Sequence, residues 1–391
     1  MKKPEQNELK EGRWTVKTEL SVEYEIKNSP NILNPSNPDL LCHGTQGIGK
    51  RRLIIAERTV CHHYFHDIRN YFEKNHTNYH IVPVDLTEEN KNLDSLLYIL
   101  GEIEQFGVLR RSEPLIAIGG GVLLDVVGLA ASLYRRGIPY IKVPTTLIGL
   151  IDASVGVKTG INFENRRNRL GSYAPPIAAY LDKSFLKTLP ELEFRSGVGE
   201  IIKMAVVKDL HLFELLEQAS SELVDKKFNG CPFADEIINR SVTGMKDELQ
   251  ENLWEKILKR QVDFGHSFSP IIEMRSIHDK GEQPLTHGQA VTLDILLSCI
   301  ISRNRKMLTK GELNRVFKLI KNTGLPTEHQ LCYNPLVILE ALEDTVKHRN
   351  GDQNLPIPVT IGKSTFLNDV TFKEIKKAVQ SMKQLNMEFK K

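Results

Sequence analysis

From residue 52 onward, short apolar runs alternate with longer stretches in which apolar positions recur every three or four residues. Leu53-Ile54-Ile55-Ala56 predicts a strand, and a helical pattern follows through Phe72. A second strand is predicted over 79–84 and a helix over 93–106, with Leu96, Leu97, Leu100 and Ile103 on one face. Leu115-Ile116-Ala117-Ile118 predicts a third strand, 122–133 a helix, and 140–143 a strand ending at Pro144. Strands this apolar, separated by helices, belong to a parallel sheet covered on both faces. After about residue 185 the period is helical, over 198–207, 210–223, 233–245, 253–259, 291–301, 310–321, 335–347 and 372–382. Only 357–361 and 365–367 read as strands there. Residues 1–50 are polar and irregular, with Pro30, Pro35 and Pro38. The pattern predicts a leader or strap over 1–50, an α/β Rossmann-like parallel-sheet domain over 51–184, and a mostly α-helical domain over 185–391.

Composition narrows the function classes. The chain has 391 residues, with Lys+Arg 52 against Asp+Glu 49 and a formal charge of +3. That balance argues against a nucleic-acid coat. The five cysteines are odd in number and scattered without a CxxC, which fits a reducing compartment. Met1-Lys2-Lys3-Pro4-Glu5-Gln6 offers no apolar core of a signal peptide, and the apolar stretch 290–302 is interrupted by Asp294 and too short to span a bilayer. A cytoplasmic protein with no nucleic-acid or membrane partner is expected. The global balance hides an uneven chain. Between residues 134 and 169, Arg135, Arg136, Lys142, Lys158, Arg166, Arg167 and Arg169 face only Asp152 and Glu164. Such a density of cations suits a phosphate ester.

Four segments carry candidate chemistry. Gly119-Gly120-Gly121 follows a predicted strand and opens a helix, where a bare backbone and a helix N-terminus can receive a pyrophosphate. It is not a GxGxxG fingerprint, and a tight turn without ligand is the alternative, but three consecutive glycines in this place favour a nucleotide. Thr145 and Thr146 end the next strand, where hydroxyls face the ligand crevice of a parallel sheet; capping of the following turn is the plainer reading. Glu200 and Lys203 lie one helical turn apart in an otherwise apolar segment, so both are expected to be buried, as a structural pair or with a metal. His266 and His287 could join Glu200 in an open three-ligand site, drawn from three helices. Their spacing is no local metal motif, and single histidines are more often ordinary core residues.

Taken together these segments resemble the sugar phosphate cyclase superfamily, the 3-dehydroquinate synthase-like enzymes. The resemblance spans about residues 50–370 and rests on Tyr134-Arg135-Arg136-Gly137, Gly149-Leu150-Ile151-Asp152, Lys158-Thr159-Gly160-Ile161-Asn162, 168–176, Val262-Asp263-Phe264-Gly265-His266 and His348-Arg349-Asn350-Gly351. It is nearest the sedoheptulose 7-phosphate branch, in its valiolone-forming type. Asp263, Pro270, Leu249 and His348 match that type, whereas dehydroquinate synthases usually carry Asn and His at the first two positions.

The resemblance implies a metal, zinc or cobalt, on Glu200, His266 and His287. It implies NAD+ along Gly119, Gly120, Gly121, Val122, Asp125, Thr145 and Thr146, with further contacts from Glu88, Lys91, Asp152 and Lys158. Glu57 stands where the family usually has an aspartate near the adenosine ribose, and Arg167 where it has a lysine. Asp152, Lys158, Lys203, Asp263 and His348 match catalytic positions, and Arg136, Asn168, Leu249, Pro270 and one of Lys259 and Arg260 match substrate positions. The family forms homodimers in which the arginine matching Arg136 reaches the neighbouring subunit's substrate phosphate. The implied reaction converts sedoheptulose 7-phosphate to 2-epi-5-epi-valiolone by transient oxidation, phosphate elimination, re-reduction and aldol closure. Other readings stay open: another cyclase product (2-epi-valiolone, desmethyl-4-deoxygadusol or 3-dehydroquinate), a metal-dependent polyol dehydrogenase, or a nucleotide-binding protein without activity.

Overall fold

The computed structural model describes residues 14–45, 50–164, 166–278 and 284–390. In chain order the first half comprises β1 (Glu25–Asn28), β2 (Arg51–Glu57), α1 (Arg58–Lys74), β3 (Asn78–Val84), α2 (Leu93–Phe106), β4 (Leu115–Gly119), α3 (Gly121–Leu133), β5 (Tyr140–Pro144), β6 (Lys158–Phe163), β7 (Arg166–Tyr173) and β8 (Ala178–Leu181). Six of these strands form one sheet in the order β1-β8-β5-β4-β2-β3, every pair parallel. Alternate residues of β2 and β4 point to opposite faces. Leu53, Ile55, Leu115 and Ala117 pack with α2 and α3, while Ile54, Ala56, Ile116 and Ile118 pack with α1. From β2 the chain steps outward to β3 and then returns to β4 on the other side. The order therefore reverses between β2 and β4, and their carboxyl ends, Glu57 and Gly119, flank the crevice where such sheets bind ligands.

The second half comprises α4 (Glu191–Val207), α5 (Leu210–Lys226), α6 (Ala234–Gln250), α7 (Ser269–His278), α8 (His287–Asn304), α9 (Lys310–Asn322), α10 (Pro335–His348), the antiparallel pair β9 (Leu355–Thr360) and β10 (Lys363–Leu367), and α11 (Phe372–Lys390). Its centre is the crossing of α4 and α8. Every residue from Ser196 to Val207 is buried, as the apolar pattern requires. The two helices meet on glycines: a Cβ on Gly288 would lie 1.9 Å from Ser196 O, and one on Gly199 would lie 2.7 Å from Gly288 O. Among the described residues no helix is long and apolar enough to cross a membrane.

The structure departs from the pattern in five places. Within the leader, β1 joins the sheet edge beside β8, and Ile32, Leu40 and Leu41 enter the core; the residues before 14 lie outside the described chain. The stripe of α2 is rotated, with Leu97 exposed and Ile99 buried. No helix forms over 253–259, because the Asn252 side chain bonds both the amide and the carbonyl of Ile257. A helix that the pattern does not predict, α7, forms over 269–278, with Pro270 as its second residue, where a missing N–H costs nothing. The charged stretch 158–173, for which the pattern predicts no element, is the antiparallel hairpin of β6 and β7; with Ile161 as the one apolar residue in the core, it shows no alternation to detect.

Glu312 joins α9 to the end of β9. Its carboxylate accepts the Thr309 amide at 3.0 Å and the Ile361 amide at 3.2 Å, and the Thr360 hydroxyl as well. Burial would raise its pKa, but these donors outweigh it and hold the carboxyl at about 2. A folded-state pKa below the unfolded one contributes stability that is full above the unfolded value and lost as pH falls toward 2. Glu312→Gln is therefore expected to melt below the wild type at neutral pH, the gap narrowing on acidification. A gap independent of pH, followed by circular dichroism, contradicts this.

Candidate active site

Glu200, His266 and His287 converge although 66 and 21 residues separate them in order. Glu200 comes from the buried middle of α4. His287 is the first residue of α8, set by a capping box between Thr286 and Gln289. His266 is not on a helix: it sits in the turn before α7. Asp294 of α8 fixes that turn by accepting the amides of Ser267, Phe268 and Ser269 at 2.8, 2.5 and 3.0 Å. Glu200 Oε1 lies 3.3 Å from His287 Nε2 and 3.6 Å from His266 Nε2. The ligand atoms of the three residues all lie within 4.8 Å of one another.

The electrostatics suit a cation. Glu200 Oε1 is buried and accepts no hydrogen bond, a costly state for a carboxylate oxygen. Burial opposes ionisation of Glu200, yet Lys203 and the two histidines hold its pKa well below the ordinary range. Lys203 Nζ stands 2.6 Å from Glu200 Oε2, and that carboxylate together with Asp152 keeps the buried ammonium charged. Burial, then Lys203, lowers His266 to about 3, which leaves the imidazole neutral and free to donate a lone pair. Two imidazole nitrogens and one carboxylate oxygen fit Zn2+ or Co2+ and leave coordination open.

A cationic cluster adjoins the triad. Asp152 lies in a wide turn, Gly149–Ala153, with π-helical hydrogen bonding. Burial raises its carboxyl against the pull of Lys203. The buried ammonium of Lys142 pins this turn, donating to Ala153 O and Gly156 O at 2.7 Å each. Lys158 pairs with Glu255 at 2.7 Å, and Arg260 bridges Glu255 and Asp263, the latter at 2.5 Å. Arg260 rather than Lys259 faces this cluster; the Lys259 ammonium lies 5.0 Å above the Phe366 ring. Arg349 adds a buried guanidinium 3.8 Å from Asp263.

The crevice at the β2–β4 reversal has the features of an anion seat. No side chain caps α3, whose N-terminus follows the glycines. A Cβ on Gly120 would meet the Thr146 side-chain methyl at 3.0 Å, a tight contact that the bare glycine avoids. Glu57 accepts the Gly120 amide at 3.1 Å, and burial raises its carboxyl. The Thr146 hydroxyl does cap, accepting the Gly149 amide at 3.0 Å; Thr145 is buried beside it and donates its amide to Gly119 O at 3.0 Å. The β6–β7 hairpin folds over the Glu88–Lys91 segment. Lys91 Nζ donates to Asp125 at 2.6 Å and to Asn168 at 2.7 Å, Asn162 donates to Glu88, and Arg167 Nε donates to Glu88 at 2.9 Å.

The remaining predicted residues sit apart. His348, at the end of α10, is half exposed, with Asp344 of the same helix 3.3 Å away. Leu249 packs against Val155 and Met245 under the Asp152 turn. Pro270 opens α7. Arg136 is exposed at a positive φ of 62°, and no described residue bonds its guanidinium. Sequence reasoning missed Glu255 and Glu273, and it named Lys142, Arg349 and Asp294 without seeing the bonds they make here. For Asp294 a signal existed: a carboxylate in an apolar helix must find donors. For Glu273 none did, since Arg167 is distant in sequence; Glu255 has Arg260 five residues on, but its other partner, Lys158, is distant.

The 3-dehydroquinate synthase N-terminal model matches residues 81–196 and the C-terminal model residues 197–348. A 2-epi-5-epi-valiolone synthase of Streptomyces albus is 44% identical over 378 residues, covering 95% of this chain and 91% of that protein. A demethyl-4-deoxygadusol synthase of Trichormus variabilis is 33% identical over 385 residues, covering 97% and 92%. The solved structure of the 2-epi-5-epi-valiolone synthase from Streptomyces hygroscopicus subsp. jinggangensis, with NAD+ and Zn2+ bound, superposes with a TM-score of 0.88 at 42% identity, covering 95% of this chain and 100% of that one.

Proposed function

This chain belongs to the 3-dehydroquinate synthase family, and within it we propose that it is the cyclase that turns sedoheptulose 7-phosphate into 2-epi-5-epi-valiolone with loss of phosphate. The observation that carries this reading is the 44% identity to a valiolone synthase along almost the whole chain, against 33% to a gadusol-type relative. By reaction type it is a carbon–oxygen lyase acting on a phosphate ester, placed in the cytoplasm. Residues 51–184 hold the cofactor, and residues 185–391 hold the metal and much of the substrate.

Glu200, His266 and His287 would hold Zn2+ or Co2+, which supplies polarisation of a substrate oxygen. NAD+ would lie along 119–122, Asp125, Thr145 and Thr146, and supplies a reversible hydride acceptor. The protein's residues position and compensate charge. Lys158 and Arg260 present cations to the phosphate. Lys203, kept charged by Glu200 and Asp152, faces substrate oxygens beside the metal ligands. Asp263, held by Arg260, orients a hydroxyl. The turn carrying Asp152 keeps its shape because Lys142 ties its last residue, Ala153, to Gly156 just after it. A panel of sugar phosphates tests the substrate: sedoheptulose 7-phosphate should release phosphate far faster than a heptulosonate phosphate, and the reverse order overturns the assignment.

The exposed Arg136 serves the neighbouring subunit's phosphate in a homodimer. Arg136→Ala should leave the melting temperature unchanged, since it removes no contact, and raise KM for the sugar phosphate by about tenfold or more, as the loss of a charged hydrogen bond implies. Mixing Arg136→Ala with a Glu200→Gln chain should recover part of the wild-type rate, because one composite site is then intact. Absence of recovery in verified mixed dimers contradicts the shared site.

A further inference from the structure

His287 has two ring nitrogens with different neighbours. Nε2 faces Glu200 at 3.3 Å, while Nδ1 lies 3.0 Å from Glu273 Oε2. Glu273, on α7, is buried and belongs to none of the motifs read from the sequence. A carboxylate only accepts, so the contact holds a proton on Nδ1 and leaves Nε2, which faces Glu200, as the nitrogen that a cation between them would take. His266 is oriented in the same sense by Phe264 O, 3.2 Å from its Nδ1. One ligand is thus set by backbone and the other by a side chain.

Glu273 would be costly to bury alone. Arg167 Nη1 meets it at 2.6 Å, and Arg167 Nε meets Glu88 at 2.9 Å. The planar fork spans two carboxylates from different elements, which the point charge of a lysine does not do. Arg167 Nη1 also lies 3.4 Å from His287 Nδ1. Since a guanidinium cannot accept, this longer contact is lateral, and the Nδ1 proton belongs to Glu273.

We propose that Glu273 and Arg167 are positioning residues for the metal ligand His287, joined in a chain Glu88–Arg167–Glu273–His287 that links the hairpin at the cofactor crevice to the metal. The inference rests on the reading of Glu200, His266 and His287 as a metal site. It assigns the Arg at position 167 a task for which the family's usual lysine is poorly shaped.

Co2+ affinity of the full chain, measured by chelator competition, and the visible absorption band of bound Co2+ test it. Glu273→Gln should weaken Co2+ binding by about 10- to 100-fold and shift the band, the usual effect of removing a partner that orients a ligand. Arg167→Lys, on the outer hairpin, should weaken binding less but shift the band in the same direction, and it carries the test should Glu273→Gln fold poorly. In the double variant the losses should combine less than multiplicatively. Wild-type affinity and an unshifted band in either folded variant overturn the proposal. Co2+ binding in Glu200→Gln equal to wild type would instead sink the metal reading beneath it.

Discussion

Glu200→Gln is expected to lose its metal and its phosphate-releasing activity together. The substitution keeps size and shape but removes the charged oxygen that faces both histidines, at 3.3 and 3.6 Å. A metal's contribution to charge stabilisation is several kcal/mol, so the rate should fall on the order of a thousandfold or more. Metal content per chain should fall from about one toward zero in the same preparation, as a three-ligand site predicts. The variant also leaves the buried Lys203 ammonium with Asp152 and the weaker pull of Asp263 to balance it. Breaking a buried pair costs about 3–5 kcal/mol when the remaining charge has no partner, so a lowered melting temperature is expected as well. Metal retained at wild-type stoichiometry contradicts the ligand assignment, whatever the rate.

Among the described glycines, Gly288→Ala should be the most damaging, because its Cβ would make the shortest contact with backbone. The added Cβ would stand 1.9 Å from Ser196 O, on backbone that cannot swing aside like a side chain. Helices α4 and α8 must separate, and they carry Glu200 and His287. Overpacking typically costs about 1–3 kcal/mol, and a clash with backbone belongs at or above the upper end. The Gly288 amide would also lose its bond to Ser196 Oγ, now 2.9 Å. The expected result is a protein that melts well below wild type and binds metal weakly even when folded. Gly101→Ala, where a Cβ meets nothing within 4 Å, is the control and should be neutral or slightly stabilising. Equal melting temperatures for the two variants contradict the back-to-back packing.

The two substitutions also mark what could be read before any coordinates. Glu200 was legible because a charge inside an apolar helix must be compensated, and Lys203 one turn later gave the partner. The strands at 53–56 and 115–118 were legible because a parallel sheet buries both faces and writes an unbroken apolar run. Gly288 was not legible as a packing residue: nothing local tells a helix-opening glycine from one pressed against another helix. The hairpin of β6 and β7 escaped because most of its residues are polar and exposed or paired with charges, and Ile161 alone enters the apolar core, so neither period appears. His266 was found as a residue but placed on a helix that does not exist, since the device that shapes its turn, Asp294, lies 28 residues away in sequence. Glu273 illustrates the limit most plainly. Its role depends on Arg167 and His287, 106 residues before it and 14 after, which only the fold brings together.

The central claim is a cyclisation with no net oxidation. It is tested most directly by incubating the purified chain with NAD+, Zn2+ or Co2+ and sedoheptulose 7-phosphate, and following inorganic phosphate and NADH in one sample. One phosphate per sugar consumed, no accumulation of NADH, and 2-epi-5-epi-valiolone as the carbocycle identified by nuclear magnetic resonance are expected. NADH rising in step with substrate loss, or no phosphate released from this sugar phosphate, would contradict it.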